Sequence, residues 1–328
     1  MKKIVSFFGD RSALFTELNR RAEDYARSLD LEYKWVPQLP FSREEVIREL
    51  READAGIIDV EPYGEPIFRE IRDQTRLLVR FGVGYDQVDL AAASRAGIAI
   101  ARTTGANTPA VAEMALALLL ACNRRLKLAQ KRTQSGEWAK DVGHELLGGT
   151  LGILGYGGIG RKLRRLVTGF DCRVLVCDHR LTAEEAEAEQ VERVGPEELF
   201  SRADAVSIHI PSRPENTRLV DARLLGLMKP TAVLVNTARG SVLDEEALYK
   251  ALKEGRIAGA GLDVFAREPL PADSPLLTLD NCILTPHVAS QTVESLWSIY
   301  AMALDIAADF FAGKGSPHIL NPDYGTGR

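Results

Sequence analysis

Three apolar stretches in the second half of the chain end in side chains that can bind negative charge and move protons. AVLVNTARGS carries Arg239, GAGLDVFAREPL carries Glu268, and ILTPHVAS carries His287. A planar, permanently charged guanidinium suits binding a carboxylate and polarising a carbonyl. An imidazole exchanges protons near neutral pH, and a carboxylate beside it orients the ring and favours its charged form. This is the chemistry needed to protonate the alkoxide formed when hydride reduces a 2-oxo acid.

Each of these residues also has a plain structural interpretation. Arg239 could lie in a turn that caps a helix, and Glu268 could lie in a loop. His287 follows Pro286 and could be a surface or cap histidine. In an open α/β sheet, however, ligands bind beyond the carboxyl ends of the strands. Residues that follow three such strands are therefore expected to converge on one site.

A glycine-rich turn in the middle of the chain is typical of dinucleotide binding. In TLGILGYGGIGRKLRRL, the glycines Gly155, Gly157 and Gly160 follow a predicted strand and open a predicted helix. The first allows a tight turn, the second lets a pyrophosphate approach the backbone, and the third lets helix and strand pack closely. The free N–H groups at the start of the helix, around Gly158 and Ile159, complete the expected phosphate site.

An acidic residue lies where a dinucleotide site needs one. Asp178 ends the stretch RVLVCD about 20 residues after the glycines, where a carboxylate accepts hydrogen bonds from the ribose and disfavours a 2′-phosphate. The alternative is a strand-end aspartate that opens a turn. A cation at His179 or Arg180 would soften the preference. The sequence therefore predicts NAD as the cofactor without excluding NADP, with Thr237 as a further contact.

Two series of alternating strands and helices are predicted to position these residues. Alternation of this kind indicates parallel sheets covered by helices. The predicted strands of the first series are KIVSFF, LEYKWV, AGIIDV, RLLVRFG and GIAIAR. Those of the second series are TLGILG, RVLVCD, AVSIHI, AVLVNT, AGAGLDV and CILTPH. Six parallel strands with crossover helices make a doubly wound dinucleotide-binding domain.

Two apolar helical stretches mark the expected domain boundaries. PAVAEMALALLLACNRRLKLAQ, with Pro109 in its first turn, is predicted to be one long and largely buried helix. VASQTVESLWSIYAMALDIAADFF is predicted to be a last helix that packs back on the first series. We therefore expect a substrate domain of residues 1–102 plus 291–328 and a dinucleotide-binding domain of residues 103–290.

Composition limits the classes of partner. The 328-residue chain is 45% hydrophobic and 27% charged, which is typical of a soluble globular protein of about two domains. Its net charge of −5 and isoelectric point near 5.7 argue against nucleic acid or anionic membrane as a general partner. No apolar stretch reaches the length that spans a bilayer. We expect a small-molecule substrate.

The cysteines and the start of the chain indicate the compartment. The four cysteines, Cys122, Cys172, Cys177 and Cys282, show neither C-x-x-C pairs nor zinc-ligand spacing, so neither a disulfide framework nor a metal site is predicted. MKKIVSFFGDRS becomes polar too soon for a secretory signal. A cytoplasmic location is therefore expected.

Seven stretches, in order along nearly the whole chain, resemble the D-isomer-specific 2-hydroxyacid dehydrogenases. They are RFGVGYDQVDLAAASRAGIAI (80–100), NTPAVAEMALALLL (107–120), LGILGYGGIG (151–160), HIPSRPENTRLV (209–220), VNTARGSVLDEEAL (235–248), GLDVFAREPL (261–270) and TPHVAS (285–290). The resemblance implies an NAD(H)-dependent oxidoreductase that interconverts a 2-oxo acid and a D-2-hydroxy acid. Its expected catalytic residues are Arg239, Glu268 and His287.

The same resemblance implies a fold and further contacts. It predicts two Rossmann-like domains with a cleft between them, the substrate domain being flavodoxin-like. It predicts a homodimer built around the helix at 108–126. Asp263 is expected to contact the nicotinamide carboxamide. Main-chain N–H groups of the first stretch are expected to hold the substrate carboxylate, at Phe81, Gly82, Val83 and Gly84.

Departures from the family pattern narrow the range of expected ligands. Ser212 and Arg213 replace the usual small or polar pair after H-x-P and bring an extra cation. Formate dehydrogenases of the same superfamily have Gln where Glu268 stands, which disfavours formate. The regulatory domain that many phosphoglycerate dehydrogenases carry is not recognisable. Arg80 could recruit a substrate phosphate, but a strand-end charge that reaches solvent is the preferred interpretation.

A second class of function keeps the same motifs. The stretch LLVRFGVGYDQVDL also resembles the C-terminal binding protein corepressors, which retain this fold and triad but act mainly by recruiting partners. A dinucleotide sensor of that kind would bind NADH and barely turn over, whereas an enzyme would reach a kcat of about 1–10³ s⁻¹. The absence of a recognisable disordered extension favours the enzyme.

Overall fold

The structure, a computed structural model, describes residues 1–325. The chain forms two compact units, which are residues 1–107 together with the chain from Thr292 onward, and residues 108–291. Each unit contains one parallel sheet with helices between its strands. The α/β class with two parallel sheets, predicted from the alternation of strands and helices, is confirmed.

The first unit has five strands in the order β2-β1-β3-β4-β5, which is the flavodoxin-like order. Alternate residues of its central strands enter the two cores on either face, as Ile4 and Val5 do on β1. The strands are β1 (Lys2–Ser6), β2 (Leu31–Trp35), β3 (Ala55–Ile58), β4 (Leu77–Arg80) and β5 (Ala99–Arg102).

The second unit has seven strands in the order β12-β11-β10-β9-β6-β7-β8, all pairs being parallel. From β6 the strands follow one another toward β8 on one side, and from β9 they follow one another toward β12 on the other. The boundary between β6 and β9 is the switch point where doubly wound sheets bind dinucleotides. The strands are β6 (Thr150–Leu154), β7 (Arg173–Cys177), β8 (Glu192–Arg193), β9 (Ala205–Ile208), β10 (Val233–Asn236), β11 (Gly259–Leu262) and β12 (Cys282–Leu284).

Twelve α-helices lie within the described residues. Several begin at a side chain that accepts a hydrogen bond from the first turn, as Ser12, Asp89 and Thr292 do. The helices are α1 (Ala13–Ser28), α2 (Arg43–Leu50), α3 (Glu65–Ile71), α4 (Leu90–Ala96), α5 (Thr108–Asn123), α6 (Leu126–Gln134), α7 (Gly158–Leu166), α8 (Ala183–Ala188), α9 (Pro196–Arg202), α10 (Ala222–Leu227), α11 (Glu245–Lys253) and α12 (Val293–Phe311).

Aromatic packing in the first unit holds the carboxyl end of β4. The ring of Phe81, directly after β4, stacks on Phe8 with centroids 3.6 Å apart and meets Tyr300 of α12 edge-on at 4.8 Å. Helix α12 buries most of one face in this core. The last helix therefore packs on the first series of strands, and it anchors the loop that follows β4.

The long helix predicted after Pro109 is wrong in its second half. It ends at Asn123, Arg125 adopts a left-handed conformation with φ of +52°, and α6 restarts at Leu126. The break has a visible cause, because Lys127 donates to the main-chain carbonyls of Leu279 and Cys282 at 2.8 Å each. Helix α5 is largely buried, whereas α6 has no buried residue.

Two other predicted elements differ from the structure. The last helix begins at Val293 and not at Val288, because the N–H groups of Val288 and Ala289 bind the carboxylate of Asp263. The second sheet has a seventh strand, β8, whose two residues are too few and too polar to show a strand pattern. Neither change moves the strand ends that carry the candidate residues.

Residues 1–325 contain no helix that is long and apolar enough to cross a membrane. The same residues contain no group of three His, Cys, Asp or Glu side chains arranged to hold a metal ion.

Candidate active site

The glycine turn between β6 and α7 has the geometry of a phosphate loop. Gly155 has φ of +95°, and a Cβ there would lie 2.7 Å from the main-chain carbonyl of His209. Gly160 packs against the carbonyl of Gly155. A Cβ at Gly157, in contrast, would meet no atom of residues 1–325 within 4 Å. No neighbour in the described part of the chain requires glycine at that position, so its lack of a side chain fits the close approach of a ligand.

Asp178 braces this loop from the end of β7. Its carboxylate accepts the N–H of Tyr156 at 2.7 Å and the N–H of Arg180 at 2.8 Å, and only 8% of the side chain is exposed. Burial alone would raise the pKa of this carboxyl, but the two N–H groups outweigh it and lower the pKa. His179 and Arg180 extend their charged or polar heads into solvent beside it, with 82% and 70% of the side chain exposed.

The loop after β10 carries Thr237 and Arg239. Asn236, which is fully buried, receives the N–H of Ala238 at 3.0 Å and donates to the carbonyl of Arg239 at 2.9 Å. This bracing fixes the main chain on both sides of Thr237. The Thr237 hydroxyl oxygen is buried and has no hydrogen-bond partner within residues 1–325. A buried hydroxyl without a partner fits a ligand contact, as expected for the cofactor.

The loops after β10 and β11 lie directly against each other. Gly240 follows Arg239, and a Cβ there would overlap the main chain of Phe265 and Ala266. The Arg239 guanidinium donates to the carbonyl of Ala238 at 2.7 Å. Its charge also acts on Glu268, whose pKa it helps to lower. The structure therefore brings the Arg239 loop to the Glu268 loop, as the strand order predicts.

Glu268 and His287 form a hydrogen-bonded pair. The imidazole Nδ1 lies 2.8 Å from one carboxylate oxygen of Glu268, and the other oxygen accepts the N–H of Phe265 at 2.9 Å. Burial alone would raise the pKa of the Glu268 carboxyl, but the hydrogen bonds from His287 and Phe265 lower it. The carboxylate stays ionised and holds the ring. The other ring nitrogen, Nε2, is left for proton exchange, and 46% of the side chain is exposed.

Asp263 holds the turn that presents His287. Its side chain is fully buried and accepts the Thr285 hydroxyl at 2.6 Å and the N–H groups of Val288 and Ala289 at 2.9 Å each. The His287 N–H donates to the main-chain carbonyl of Asp263 at 2.9 Å. His287 has φ of +54°, an uncommon conformation for a residue with a side chain. Buried hydrogen bonds on both sides of the residue hold it there.

Several supporting residues were not expected from the sequence. Tyr156, inside the glycine loop, is 3% exposed and donates to Glu189 at 2.6 Å, and Arg161 lies over its ring. Glu189 directly follows α8, a short helix whose one signal in the sequence is the Thr182–Glu185 capping box. Asn236 is the last residue of β10. A polar residue that ends an apolar strand was the signal for it in the sequence.

The loop Phe81–Gly84 belongs to the first unit and follows β4. The Phe81 N–H donates to the carbonyl of Ile58 at 2.8 Å, so this group is used within the sheet. Arg80 is only 8% exposed and lies 3.5 Å from Asp59. The expectation that its charge reaches solvent is therefore wrong, because the end of β3 supplies a carboxylate that keeps the guanidinium inside.

Comparison with known proteins identifies the family. Residues 116–289 match the family model described as D-isomer specific 2-hydroxyacid dehydrogenase, NAD binding domain. A glyoxylate reductase of Korarchaeum cryptofilum is 38% identical over 297 residues, covering 88% of this chain and 89% of the relative. A D-3-phosphoglycerate dehydrogenase of Archaeoglobus fulgidus is 35% identical, covering 92% of this chain but 56% of the relative.

A solved structure agrees. That of D-2-hydroxyisocaproate dehydrogenase superposes with a TM-score of 0.88 at 25% identity and covers 98% of this chain and 100% of its own. The fold, the glycine loop and the sequence relatives all indicate the same family. The chain belongs to the D-isomer-specific 2-hydroxyacid dehydrogenases and is an NAD-dependent oxidoreductase that interconverts 2-oxo acids and D-2-hydroxy acids.

Proposed function

We propose that Arg239, Glu268 and His287 are the catalytic residues of this dehydrogenase. The observation that carries the proposal is the 2.8 Å contact between Glu268 and Nδ1 of His287. It leaves Nε2 as the ring nitrogen that gives its proton to the developing alkoxide of the substrate. Arg239 binds the substrate carboxylate and polarises the carbonyl. Glu268 holds the imidazole and stabilises its charged form.

The dinucleotide supplies or accepts the hydride when it is bound. We propose that the phosphate loop holds its pyrophosphate at the start of α7. This loop consists of Gly155 and residues Gly157 to Gly160, including Ile159. Asp178 would accept the ribose hydroxyls. Thr237 supports the proposal with a hydroxyl that has no partner in the described part of the protein. Asp263 would receive the carboxamide as well as hold the His287 turn.

The proposed substrate is a small 2-oxo acid such as glyoxylate or hydroxypyruvate, and not its phosphorylated counterpart. A phosphate needs an available cation, but Arg80 is buried against Asp59. Glu61 adds a further acidic group nearby, whose pKa is raised by burial and by the charge of Asp59. The 38% identical relative named glyoxylate reductase supports the same substrate class.

We further propose a homodimer in the cytoplasm. Helix α5 and the chain after it would form the interface, since Trp138 and Val142 are 85% and 83% exposed there, and large apolar side chains favour buried surfaces. The four cysteines are all free, which suits a reducing compartment. Sedimentation equilibrium of the full chain at several concentrations tests the assembly, and a monomer throughout would contradict it.

Initial rates test the proposed substrate and cofactor together. Loss of NADH absorbance, and separately of NADPH absorbance, is followed with glyoxylate, hydroxypyruvate, phosphohydroxypyruvate, pyruvate, phenylpyruvate and 2-oxoisocaproate. The proposal predicts the highest kcat/KM for glyoxylate or hydroxypyruvate with NADH. A clear preference for phosphohydroxypyruvate would contradict the proposed substrate. Tight NADH binding without turnover of any of these acids would contradict the catalytic proposal itself.

A further inference from the structure

The loop Phe81–Gly84 uses some of its main-chain groups internally and leaves others open. The Phe81 N–H goes to Ile58, and its carbonyl accepts from the Arg80 guanidinium. The Gly82 N–H donates to the hydroxyl of Thr103 at 2.9 Å. No acceptor within residues 1–325 takes the N–H of Val83 or Gly84. Only two consecutive N–H groups of the four are therefore left to bind a ligand.

The carbonyls on the opposite sides of these two peptides are both held. The Gly82 carbonyl accepts from Thr103, at 3.1 Å from its N–H and 3.2 Å from its hydroxyl. The Val83 carbonyl accepts from the Arg102 guanidinium at 3.3 Å. In a trans peptide the C=O and the N–H point in opposite directions. The bonds to Arg102 and Thr103 thus direct the N–H groups of Val83 and Gly84 away from β5.

We propose that Arg102 and Thr103 are positioning residues: they hold the loop Phe81–Gly84, to which the family resemblance assigns the substrate carboxylate, so that the N–H groups of Val83 and Gly84 stay available to bind it. The inference deepens the proposed function and rests on it. Adjacent N–H groups that point the same way make a small anion site. Arg80, held by Asp59, has the same kind of task one residue earlier, at the carbonyl of Phe81. Its guanidinium supports the loop and does not bind the substrate.

Each of the two positioning residues is well placed for this task. Arg102 is the last residue of β5 and is directly paired with Arg80 of β4. Its guanidinium also lies 5.2 Å from the ring of Tyr85, which limits its movement. Thr103 is fully buried. The hydroxyl of Thr103 bonds both polar groups of Gly82, whose φ of +120° suits glycine.

The kinetic test removes the hydrogen bonds of Arg102 and Thr103 one residue at a time. Arg102→Met keeps an unbranched apolar side chain but loses the donor to Val83. The main-chain N–H groups bind the carboxylate equally well in the ground state and in the transition state. Loss of their orientation should therefore raise KM and not lower kcat. We expect KM for the best 2-oxo acid to rise about tenfold, with kcat within about threefold and the Kd for NADH unchanged. Arg102→Lys, which keeps a donor, should recover part of the loss.

A matched control and a second pair of variants complete the test. Arg95→Met changes an exposed arginine of the same unit, paired with Glu65 at 3.0 Å, and should leave KM unchanged. Thr103→Ser keeps the hydroxyl and should keep KM, whereas Thr103→Val, of nearly equal volume, should raise it. Thermal unfolding of each variant checks folding, and the Arg102 series stands alone if Thr103→Val does not fold.

The outcomes separate this inference from the proposed function. An unchanged KM in Arg102→Met would overturn the positioning role, and so would impairment of kcat, KM and NADH affinity to the same degree. In either case, turnover by the wild-type protein would leave the proposed function standing. A wild-type protein that reduces none of the 2-oxo acids would overturn both. In ¹⁵N spectra of the NADH complex, the substrate-competitive analogue oxamate should shift the amides of Val83 and Gly84 more than that of Gly82, and the reverse order would contradict the donor assignment.

Discussion

Asp263 holds the main chain of His287 through its own carbonyl, which accepts the His287 N–H at 2.9 Å. Its buried carboxylate holds the next two residues, at the N–H groups of Val288 and Ala289. The position of His287, after β12, thus depends on Asp263, which directly follows the neighbouring strand β11. Pro286 cannot donate to the sheet after β12, and Asp263 shapes the turn that presents the His287 ring.

Replacing Asp263 by Asn should loosen that turn. The amide has one oxygen for three donors, so buried N–H or O–H groups lose their acceptor. We expect the free energy of unfolding to fall by about 1–3 kcal/mol, measured by urea denaturation without cofactor. Asp280→Asn is the matched control, because Asp280 is 45% exposed in its pair with Lys131. A loss no larger than in the control would mean that Asp263 does not organise the turn.

Replacing Glu268 by Gln should change the pH dependence of reduction. Glu268 has a lowered pKa, so its charge is present at neutral pH and is lost only as pH falls through that lowered value. The neutral amide no longer stabilises a protonated imidazole. The fall in kcat at high pH should therefore begin at a lower pH than in wild type. Glu254→Gln, on an exposed pair, is the control, and superimposable profiles for all three proteins would exclude this role for Glu268.

Two glycines of the phosphate loop should respond differently to alanine. Gly157 has φ of −78° and open space around a Cβ, so Gly157→Ala should leave thermal stability nearly unchanged and weaken NADH binding about tenfold. Gly155 has φ of +95° and lies against His209, so Gly155→Ala should lose about 1–3 kcal/mol of stability. Full NADH affinity in Gly157→Ala would contradict the predicted approach of the pyrophosphate.

His209 should make the protein sensitive to acid. Burial lowers the pKa of His209 to about 4, whereas an unfolded histidine titrates near 6.5. Between these values the unfolded state binds more protons, so stability present above about pH 6.5 is lost as pH falls toward 4. Urea denaturation at pH 7 and pH 4.5 should show about 1–3 kcal/mol less of this loss in His209→Asn than in wild type. His144→Asn, on an exposed histidine, should lose stability like wild type; equal losses in all three proteins would rule the mechanism out.

Local patterns predicted the strand ends well. Arg239, Glu268 and His287 each follow an apolar stretch that the structure confirms as a strand, and parallel strands bring their carboxyl ends to one edge. The glycine spacing likewise predicted the turn between β6 and α7. These features depend on residues close in the chain, so the sequence carries them directly.

Features that depend on distant residues could not be predicted. The break at Arg125 follows from Lys127 reaching the carbonyl of Leu279, and no pattern near Arg125 reports that contact. The sequence predicts that Arg80 reaches solvent, but Asp59, which follows the neighbouring strand β3, lies beside its guanidinium. In each case the partner lies far away in sequence, and burial decides what a charged side chain does.

Proton transfer by His287 is tested by comparing kcat for 2-oxo acid reduction in His287→Ala and wild type. General acid catalysis contributes about 10²–10⁴-fold. We expect a loss of kcat in that range while the Kd for NADH, measured on the same preparation, stays within about twofold. A His287→Ala enzyme that keeps wild-type kcat with the same 2-oxo acid would contradict it.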